Sequence, residues 1–349
     1  MPKITPYYVA GYTAEGVVNH LPSNISDVKK IYVLQHASEV LLTSVLRQIR
    51  LHFIKKHNLE VLYSALGRDY LDGLIIRSID VAIVVERVVE NMDQTGMEVI
   101  RLANVAPSTN ITADEKTQQH IQQHVTDAFR FFKKGLSIHD DLEQLYIQQM
   151  DFKKANDIGK ELIQQIFVQS KHYQKQSLIR QRLFGTNTPD GAVNVVEQLI
   201  QPISTVYYIK GRAGTGKSTL MRQIISAAEA RGIDLELYHC SFDPGSIDMV
   251  IIRELDVCLF DSTAPHAFFP SRSGEMIIDM YEKTVKPGTD ERYATEIADI
   301  STAYKQEMKN GITALQRANQ YRSKWEGQFT WLEETVVEIC THIVQRFTP

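Results

Sequence analysis

Apolar positions in this chain alternate between short continuous runs and longer segments with helical spacing. VYYI (206–209) is rich in β-branched and aromatic residues and predicts a buried strand. A glycine-rich loop follows, and then an amphipathic segment (217–231) that predicts a helix ending at Gly232. Two further apolar runs, LELYHC (235–240) and VCLF (257–260), continue the alternation. Such an order is typical of an α/β fold with a parallel sheet and helices on its faces.

The same pattern occurs twice along the chain. YVL (32–34) matches YYI (207–209) at a spacing of 175 residues, and LDGLIIRSIDVAIV (71–84) matches IDMVIIRELDVCLF (247–260) at a spacing of 176. Chance similarity between apolar strands explains one such match, but not several in order at one spacing. Because the spacing is half of the 349 residues, we expect two copies of one α/β domain.

We assign residues 1–176 to the first copy and residues 177–349 to the second, and call them the first half and the second half. The last part of each half, 115–170 and 290–346, has few Gly or Pro residues and many Gln, Glu, Lys, Leu and Ile at helical spacing. We expect these segments to follow each parallel-sheet core as an antiparallel helical appendage. Their Gln-rich faces are either solvated or a surface for a protein partner.

One segment of the second half matches the P-loop pattern GxxxxGK[ST], directly after a predicted strand and at the start of a predicted helix. Its residues are Gly211, Arg212, Ala213, Gly214, Thr215, Gly216, Lys217, Ser218 and Thr219. Glycines allow successive backbone N–H groups to surround phosphate oxygens, and a helix N-terminus carries partial positive charge. We expect Lys217 to reach the β- and γ-phosphates of ATP or GTP, and Ser218 to bind Mg²⁺. The alternative is a glycine-rich turn without a ligand.

A second metal ligand is expected at the end of the run VCLFD (257–261). Apolar strand residues that lead into an aspartate are typical of the strand that supplies an acidic Mg²⁺ ligand in P-loop proteins. Asp261 is therefore the candidate that accompanies Ser218 in the metal site. Alternatively, Asp261 is a strand-end residue that caps a turn with Ser262 and Thr263.

The first half lacks these ligands. Its corresponding loop reads QHASEVLLT (35–43), in which Leu42 replaces the lysine and no glycine remains, and Val85 stands at the position of Asp261. Other residues are shared by both copies and are assigned to the scaffold: Arg47, Gln48, Asp72, Arg77 and Asp80. We therefore expect the first half to keep the fold without binding a nucleotide.

The residue that orients the attacking group is less well defined. Asp261 is followed by Ser262, so the glutamate that polarises water in many ATPases is not at this position. His266, Asp243 and His239 lie at or just beyond predicted strand ends, the edge where open α/β sheets bind ligands. Each of the three either orients a nucleophile or is satisfied within a loop. The catalytic candidates are therefore Lys217, Asp261, His266 and Asp243.

Arg272, in the loop Pro270-Ser271-Arg272, is a further candidate. Its guanidinium either contacts phosphates or is solvated.

Composition narrows the class of protein. Hydrophobic residues make up 43% and charged residues 23%, which is ordinary for a globular protein. The three cysteines have no CxxC spacing, so neither a disulfide framework nor a thiolate zinc site is indicated. No signal-peptide or membrane-spanning pattern is found, and we expect a cytoplasmic protein. A net charge of −4 without a long basic block argues against a dedicated nucleic-acid binder.

The second half resembles a family of bacterial tandem P-loop proteins that are labelled ATPase or nucleotide kinase. The resemblance rests on GRAGTGKSTLM, on the segment 238–266 ending in DSTAPH, and on FFPSR, FGTNTPDGAVN and KPGTDERYA, and it covers essentially the whole chain. It implies that Lys217 and Ser218 contact the nucleotide and magnesium, and that the DSTAPH segment lies near the phosphates. Family members often have a P-loop in each half, so the loop 35–43 departs from the pattern.

These features favour a Mg²⁺-dependent ATPase or GTPase, with the first half as a structural or regulatory copy. The alternatives are a small-molecule or nucleotide kinase, whose acceptor would be held near 243–248, and a non-hydrolysing sensor that binds a protein through its appendages. No NKxD-type guanine-reading motif is present, which favours ATP over GTP. A homodimer is compatible with the duplicated architecture.

Overall fold

The computed structural model describes residues 3–102, 115–263 and 267–347. His266 therefore lies outside the described residues. The elements of the first half are β1 (Ile4–Tyr8), β2 (Ala10–Thr13), β3 (Gly16–Asn19), α1 (Leu21–Ile25), β4 (Lys30–Gln35), α2 (Glu39–Phe53), β5 (Leu59–Tyr63), β6 (Leu71–Ile76), β7 (Val81–Val85), β8 (Met97–Arg101), α3 (Glu115–Ile147) and α4 (Phe152–Phe167).

The second half repeats this order of strands and long helices. Its elements are β9 (Ile179–Leu183), β10 (Gly185–Thr188), β11 (Gly191–Asn194), α5 (Val196–Ile200), β12 (Thr205–Lys210), α6 (Lys217–Glu229), β13 (Leu235–His239), β14 (Ile247–Ile252), β15 (Val257–Asp261), β16 (Glu275–Asp279), α7 (Met280–Thr284), α8 (Thr289–Arg292), α9 (Ala294–Glu326) and α10 (Glu333–Phe347). The helix α6 ends close to its predicted end, before Gly232, whose φ of 67° suits a glycine at a helix C-terminus.

Twelve of the strands form one mixed sheet, in the order β8-β4-β7-β6-β5-β1-β9-β13-β14-β15-β12-β16. The antiparallel pair β1–β9 lies at its centre, and outward from this pair the strands of each half follow in the same order. The prediction of an α/β fold is confirmed at this level, with helices packed against a large sheet.

The prediction of parallel-sheet cores is correct only in part, because parallel pairs such as β12–β15 occur beside antiparallel ones. In the second half β14 runs antiparallel to both β13 and β15, and in the first half β6 runs antiparallel to both β5 and β7. The links around β14, residues 240–246 and 253–256, are too short for a crossover, so the chain reverses as in a hairpin. The edge strands β8 and β16 were also missed by the sequence analysis.

The long helices cross between the halves. Leu162, Ile166 and Phe167 of α4 share a hydrophobic core with Leu220 and Ile224 of α6, although α4 belongs to the first half. In the same way α10 packs on α2: its apolar residues lie in the core of the first half. We call α4 and α10 the exchanged helices. The expected appendages are therefore present, but each covers the opposite half.

The helices α3 and α9 pack along their lengths as an antiparallel pair. His120 of α3 stacks on Tyr321 of α9, and near the other end of the contact His139 of α3 lies against Tyr304. The antiparallel arrangement was expected, but within each appendage rather than between the two halves. None of the helices in the described ranges is both long and apolar enough to cross a membrane.

A buried ion network joins the halves at the centre of the sheet. The guanidinium of Arg182 lies 3.0 Å from a carboxylate oxygen of Glu60 and 3.1 Å from one of Glu236. Burial alone would raise the pKa of Glu236, but the guanidiniums of Arg182 and Arg253 outweigh it and lower that pKa to about 2. The first half contributes Glu60 and the second half the other three residues, so the network fixes the two halves against each other.

Candidate functional site

The P-loop segment lies between β12 and α6, at the carboxyl end of the sheet strand. Gly214 and Gly216 have φ angles of 72° and 79°, a left-handed conformation that favours glycine. Gly216 is the N-cap of α6 and provides no side-chain cap for the first helical turn. The backbone N–H groups of this turn are thus left to a ligand, and the helix N-terminus favours an anion there.

Lys217 is the first residue of α6, and its side chain folds back over the loop. Its ammonium nitrogen donates a 2.5 Å hydrogen bond to the carbonyl oxygen of Arg212 and lies 3.6 Å from Oδ2 of Asp261. Only 9% of the residue is exposed. The hydroxyl of Thr215 donates to the same carbonyl at 2.8 Å, which keeps the loop closed around the lysine.

Ser218 follows Lys217 in α6, and Asp261 lies beside the ammonium group of the lysine. Asp261 is the last residue of β15 and is paired in register with Ile209 of the neighbouring parallel strand β12. One of its oxygens accepts from the backbone N–H of Thr263 at 3.1 Å, so it caps a turn and faces Lys217 at once. The hydroxyl of Ser218 accepts a 3.3 Å hydrogen bond from the backbone N–H of Ile247.

Asp248 is a site residue that the sequence analysis missed. It lies on β14 in the same cleft as Lys217 and Asp261, and the hydroxyl of Ser246 donates to it at 3.3 Å. Burial raises the pKa of Asp248, and the negative charge of Asp261 raises it further, to about 7. The signal for Asp248 in the sequence is an aspartate inside an otherwise apolar strand. Because Asp72 stands at the equivalent position of the first half, the repeat places Asp248 among the scaffold residues.

The site opens into a cleft of about 690 Å³, within the size range of small-molecule sites. Both halves line it. The long helices contribute His139, Glu143, Phe152, Asn156, Tyr304 and Lys305. A Cβ added to Gly214 would lie 2.5 Å from the carbonyl oxygen of Glu143, and one added to Gly216 would lie 3.3 Å from Cε of Met150. The first half therefore packs directly on the loop of the second.

The loop is also tied to the end of α3. The guanidinium of Arg212 pairs with Asp290 at 3.0 Å and lies over the ring of Tyr281. The hydroxyl of Tyr146, from α3, donates to the same aspartate at 2.9 Å. Arg212 is thus anchored by both halves.

Asp243 and His239, which the sequence places at or near strand ends, differ in their position relative to the cleft. Asp243 lines the cleft, where its Oδ1 accepts from the backbone N–H of Gly245 at 3.0 Å. His239 is not among the residues that line the cleft: its ring stacks on His20 at 4.6 Å, and its Nδ1 lies 2.9 Å from the carbonyl oxygen of Pro244. The cleft thus contains Asp243 but not His239.

Arg272 is held by protein groups near the end of α5. Its guanidinium pairs with Glu275 at 2.8 Å and donates to the carbonyl oxygens of Ile200 and Ile203, at the end of α5. It does not line the described cleft. The side chain keeps 37% of its surface exposed, so it is partly solvated as well as bonded to protein groups.

The corresponding loop of the first half is filled by side chains of the protein itself. The carboxylate of Glu326, at the end of α9, accepts from the hydroxyl of Ser38 at 2.5 Å and from the backbone N–H of Glu39 at 2.9 Å. The indole of Trp325 donates to the carbonyl oxygen of Ala37 at 2.9 Å. A carboxylate thus lies at the N-terminus of α2, where the second half has its P-loop.

An arginine fills the neighbouring space. Arg87 donates to Asp72 at 2.6 Å, to the hydroxyl of Ser64 at 3.0 Å and to Glu39 at 3.2 Å. Leu42, which replaces the lysine, is only 2% exposed and belongs to the core of the first half. The loop of the first half thus has its positive and negative charges paired internally.

The residues of the second half fit a magnesium site by the chemistry of their donors. Ser218, Asp248 and Asp261 offer only oxygen, and Mg²⁺ in nucleotide sites takes one or two carboxylates and completes its shell with water and phosphate. Within residues 3–102, 115–263 and 267–347 no group of three or more His, Cys, Asp or Glu side chains could hold a metal alone. The hydroxyl of Thr263, which lines the cleft, is buried without a partner among these residues.

Comparisons with protein-family models, with curated proteins and with solved structures found no match for this chain. The function is therefore inferred from the site. Its components are a glycine loop at a helix N-terminus, a buried lysine, a hydroxyl and two carboxylates, all in one cleft.

Proposed function

We propose that the second half binds a magnesium nucleoside triphosphate, with ATP favoured over GTP, and hydrolyses its terminal phosphoanhydride bond. The observation that carries this proposal is the position of Lys217. It begins α6 directly after the glycine loop, and its ammonium group lies between a loop carbonyl and Asp261. A lysine at this point reaches the terminal phosphates of a bound nucleotide.

The loop supplies the rest of the phosphate site. Its two left-handed glycines allow the backbone to wrap around a phosphate, and the uncapped first turn of α6 adds donors and partial positive charge. When a triphosphate binds, we expect Lys217 to exchange the carbonyl of Arg212 for phosphate oxygens. The affinity then follows from charge-assisted hydrogen bonds in a partly buried site.

Ser218 and Asp261 are the residues that would hold magnesium. When bound, Mg²⁺ supplies positive charge that offsets that of the phosphate oxygens. The hydroxyl of Ser218 is oriented by the backbone N–H of Ile247, and the carboxylate of Asp261 by that of Thr263. Both groups are therefore positioned before any ligand enters.

Hydrolysis at this site needs positioning more than covalent chemistry. A water oxygen forms a bond to the γ-phosphorus, the bond from that phosphorus to the β–γ bridging oxygen breaks, and one proton passes to solvent. Lys217 stabilises the charge that develops on the phosphate oxygens. Asp243, which lines the cleft, is the described catalytic candidate for orienting the water.

We infer that the two halves are copies of one P-loop domain and that the first serves as a structural or regulatory copy. Two hydrogen bonds support the equivalence. Arg47 donates to the carbonyl oxygen of Asp69 at 2.8 Å, and its counterpart Arg222 donates to that of Gly245 at 2.8 Å. Two further expectations stay predictions: a protein partner that binds the Gln-rich faces of the appendages, and a homodimer.

Transfer of the phosphoryl group to a small acceptor is a second candidate function. The observation in its favour is that the cleft continues from the P-loop past Asp243 to Tyr304 and Lys305 of α9. A hydroxyl acceptor in that part of the cleft would take the place of water. The reaction would then depend on the acceptor.

The test is phosphate release from ATP and from GTP with Mg²⁺, measured at high protein concentration. Wild type is compared with Lys217→Ala and with Lys160→Ala, an exposed lysine of α4, as the matched control. Release that is lost only in Lys217→Ala supports hydrolysis at this site. Binding without release shifts the function to acceptor transfer or to a nucleotide sensor, and the absence of Mg²⁺-nucleotide binding in wild type overturns the proposal.

A further inference from the structure

The same hydrogen bond occurs in both halves, and it shows which residues of the two sites are equivalent. In the second half the backbone N–H of Ile247 donates to the hydroxyl of Ser218 at 3.3 Å. In the first half the backbone N–H of Leu71 donates to the hydroxyl of Thr43 at 3.2 Å. The start of β14 and the start of β6 thus have the same relation to the helix after each loop.

The next residue of each strand is an aspartate, and the two differ in what neutralises them. Asp72 of β6 is fully buried, and Arg87 donates to it at 2.6 Å. Asp248 of β14 is its counterpart, but the position equivalent to Arg87, at the spacing of 176 residues, is Thr263. The second half therefore replaces a guanidinium by a short hydroxyl at this point.

The replacement leaves Asp248 short of positive charge. Its hydrogen-bond donors are the neutral hydroxyl of Ser246 and the neutral thiol of Cys240, and the Asp261 carboxylate is close enough to repel it. Lys217 is the cation beside them, and its ammonium group is already bonded to a loop carbonyl and 3.6 Å from Asp261. Lys210 also interacts with Asp261, but its ammonium group donates to Ser262 and to the carbonyl oxygen of Phe268. Two partly buried carboxylates beside cations that are already bonded to protein oxygens are costly unless a further cation is bound.

We propose that Asp248 is a protein ligand of the Mg²⁺ ion, beside Ser218 and Asp261. This inference rests on the proposed function, because the ion enters with the nucleotide. The main-chain N–H that orients the hydroxyl of Ser218 belongs to Ile247, so Asp248 follows directly on the residue that contacts the metal-binding hydroxyl. Two carboxylates are within the number that Mg²⁺ accepts in nucleotide sites.

The first half serves as an internal control for a purely structural role. There, the same aspartate is kept on the same strand with a guanidinium as its permanent cation. If Asp248 served only the fold, an arginine at position 263 would serve it equally well. The threonine at this position instead lines the same cleft as Asp248, and its buried hydroxyl has no partner among the described residues.

The test is binding of Mn²⁺, a spectroscopic substitute for Mg²⁺, to full-length protein with a non-hydrolysable ATP analogue, followed by electron paramagnetic resonance. Asp248→Asn is compared with wild type and with Asp157→Asn, an exposed aspartate of α4. We expect Asp248→Asn to weaken Mn²⁺ binding at least about tenfold, in the range found when groups that support a metal are removed. Metal-free binding of the analogue should not weaken.

A thermal melt of each variant without metal shows whether it is folded, so that a loss of Mn²⁺ binding is not mistaken for misfolding. Removal of an uncompensated buried carboxylate should leave the melting temperature of Asp248→Asn equal to or above that of wild type, whereas a structural aspartate would lower it. A second variant, Thr263→Arg, installs the cation of the first half and should abolish Mn²⁺ binding in a folded protein.

The outcomes separate the two proposals. Wild-type affinity for Mn²⁺ in Asp248→Asn, or a lower melting temperature of this variant without metal, overturns the role of Asp248. If wild-type protein binds neither the analogue nor its Mn²⁺ complex, the proposed nucleotide function fails instead.

Discussion

The carboxylate of Glu326 accepts a 2.5 Å hydrogen bond from the hydroxyl of Ser38, which belongs to the opposite half of the chain. It also accepts from the backbone N–H of Glu39, at the N-terminus of α2. At the spacing of 176 residues its counterpart is Met150, whose methyl group lies against Gly216 in the P-loop. The N-terminus of α2 in the first half is thus occupied by a carboxylate from the second half, whereas the corresponding loop of the second half has uncapped N–H groups.

We expect Glu326→Ala to lower the free energy of unfolding by about 1.5–3 kcal/mol, the contribution of a hydrogen bond to a charged group. The reason is that Ser38 and the first turn of α2 lose their acceptor. Urea unfolding followed by circular dichroism measures the change. Glu338→Ala, an exposed glutamate in the middle of α10, is the control, and equal stability of the two variants would contradict this role.

Lys217→Ala should weaken binding of a fluorescent ATP analogue by at least about 100-fold. Each charged hydrogen bond contributes about 1.5–3 kcal/mol, and every 1.4 kcal/mol is about tenfold in affinity. Leu42→Ala, at the equivalent position of the first half, should leave the affinity unchanged. Because Leu42 is buried, this variant loses about 2–5 kcal/mol of stability, so the titration is made where a melt shows it folded. Equal loss of affinity in two folded variants would argue for a second nucleotide site.

Gly311→Ala should destabilise the α3–α9 pair. A Cβ at this position would lie 2.3 Å from a ring carbon of Phe132, and overpacking of this kind costs about 1–3 kcal/mol. Gly135, on the facing helix, is the matched control: a Cβ there meets its neighbours at 3.6 Å, an ordinary contact. We expect Gly135→Ala to be neutral or stabilising, since alanine is the better helix former. Thermal melts of both variants check the difference, and a double variant with Phe132→Leu should restore part of the loss.

The stability of the protein should fall as the pH is lowered from about 6.5 to about 4. Burial, followed by the nearby His239, lowers the pKa of His20 from 6.5 to about 4. In this interval the unfolded chain binds a proton at His20 while the folded chain does not, so protonation favours unfolding. Urea unfolding of wild type and of His20→Gln at several pH values separates the contribution of His20 to the pH dependence of stability from that of the carboxylates. Parallel pH profiles of the two proteins would show that His20 does not contribute.

The arrangement around Lys217 could be predicted because it depends on local signals. An apolar β-branched run, a glycine loop and an amphipathic segment follow one another, and the structure has β12, the loop and α6 in that order. The direction of β14 could not be predicted in this way. Its apolar run reads the same in a parallel and an antiparallel strand, and only the short link 240–246 indicates a hairpin.

The site was only partly predictable for a related reason. Asp248 was assigned to the scaffold because Asp72 shares its position, and the difference between them lies in their neighbours Thr263 and Arg87. Such a difference becomes visible only when strands β14 and β15 are side by side. The sequence also could not predict that α3 lines the cleft. A repeat shows which segments correspond, but not which copy each segment packs against.

The exchanged helices determine what each half could do on its own. A fragment of residues 177–349 would retain every residue of the P-loop, yet it would lack α3 and α4, which wall the cleft and cover α6. Its own α10 would have no α2 to pack on. The half whose loop has neither the lysine nor the glycines thus forms part of the wall of the other half's cleft, so cutting the chain between the halves would open that cleft without changing any residue of its loop.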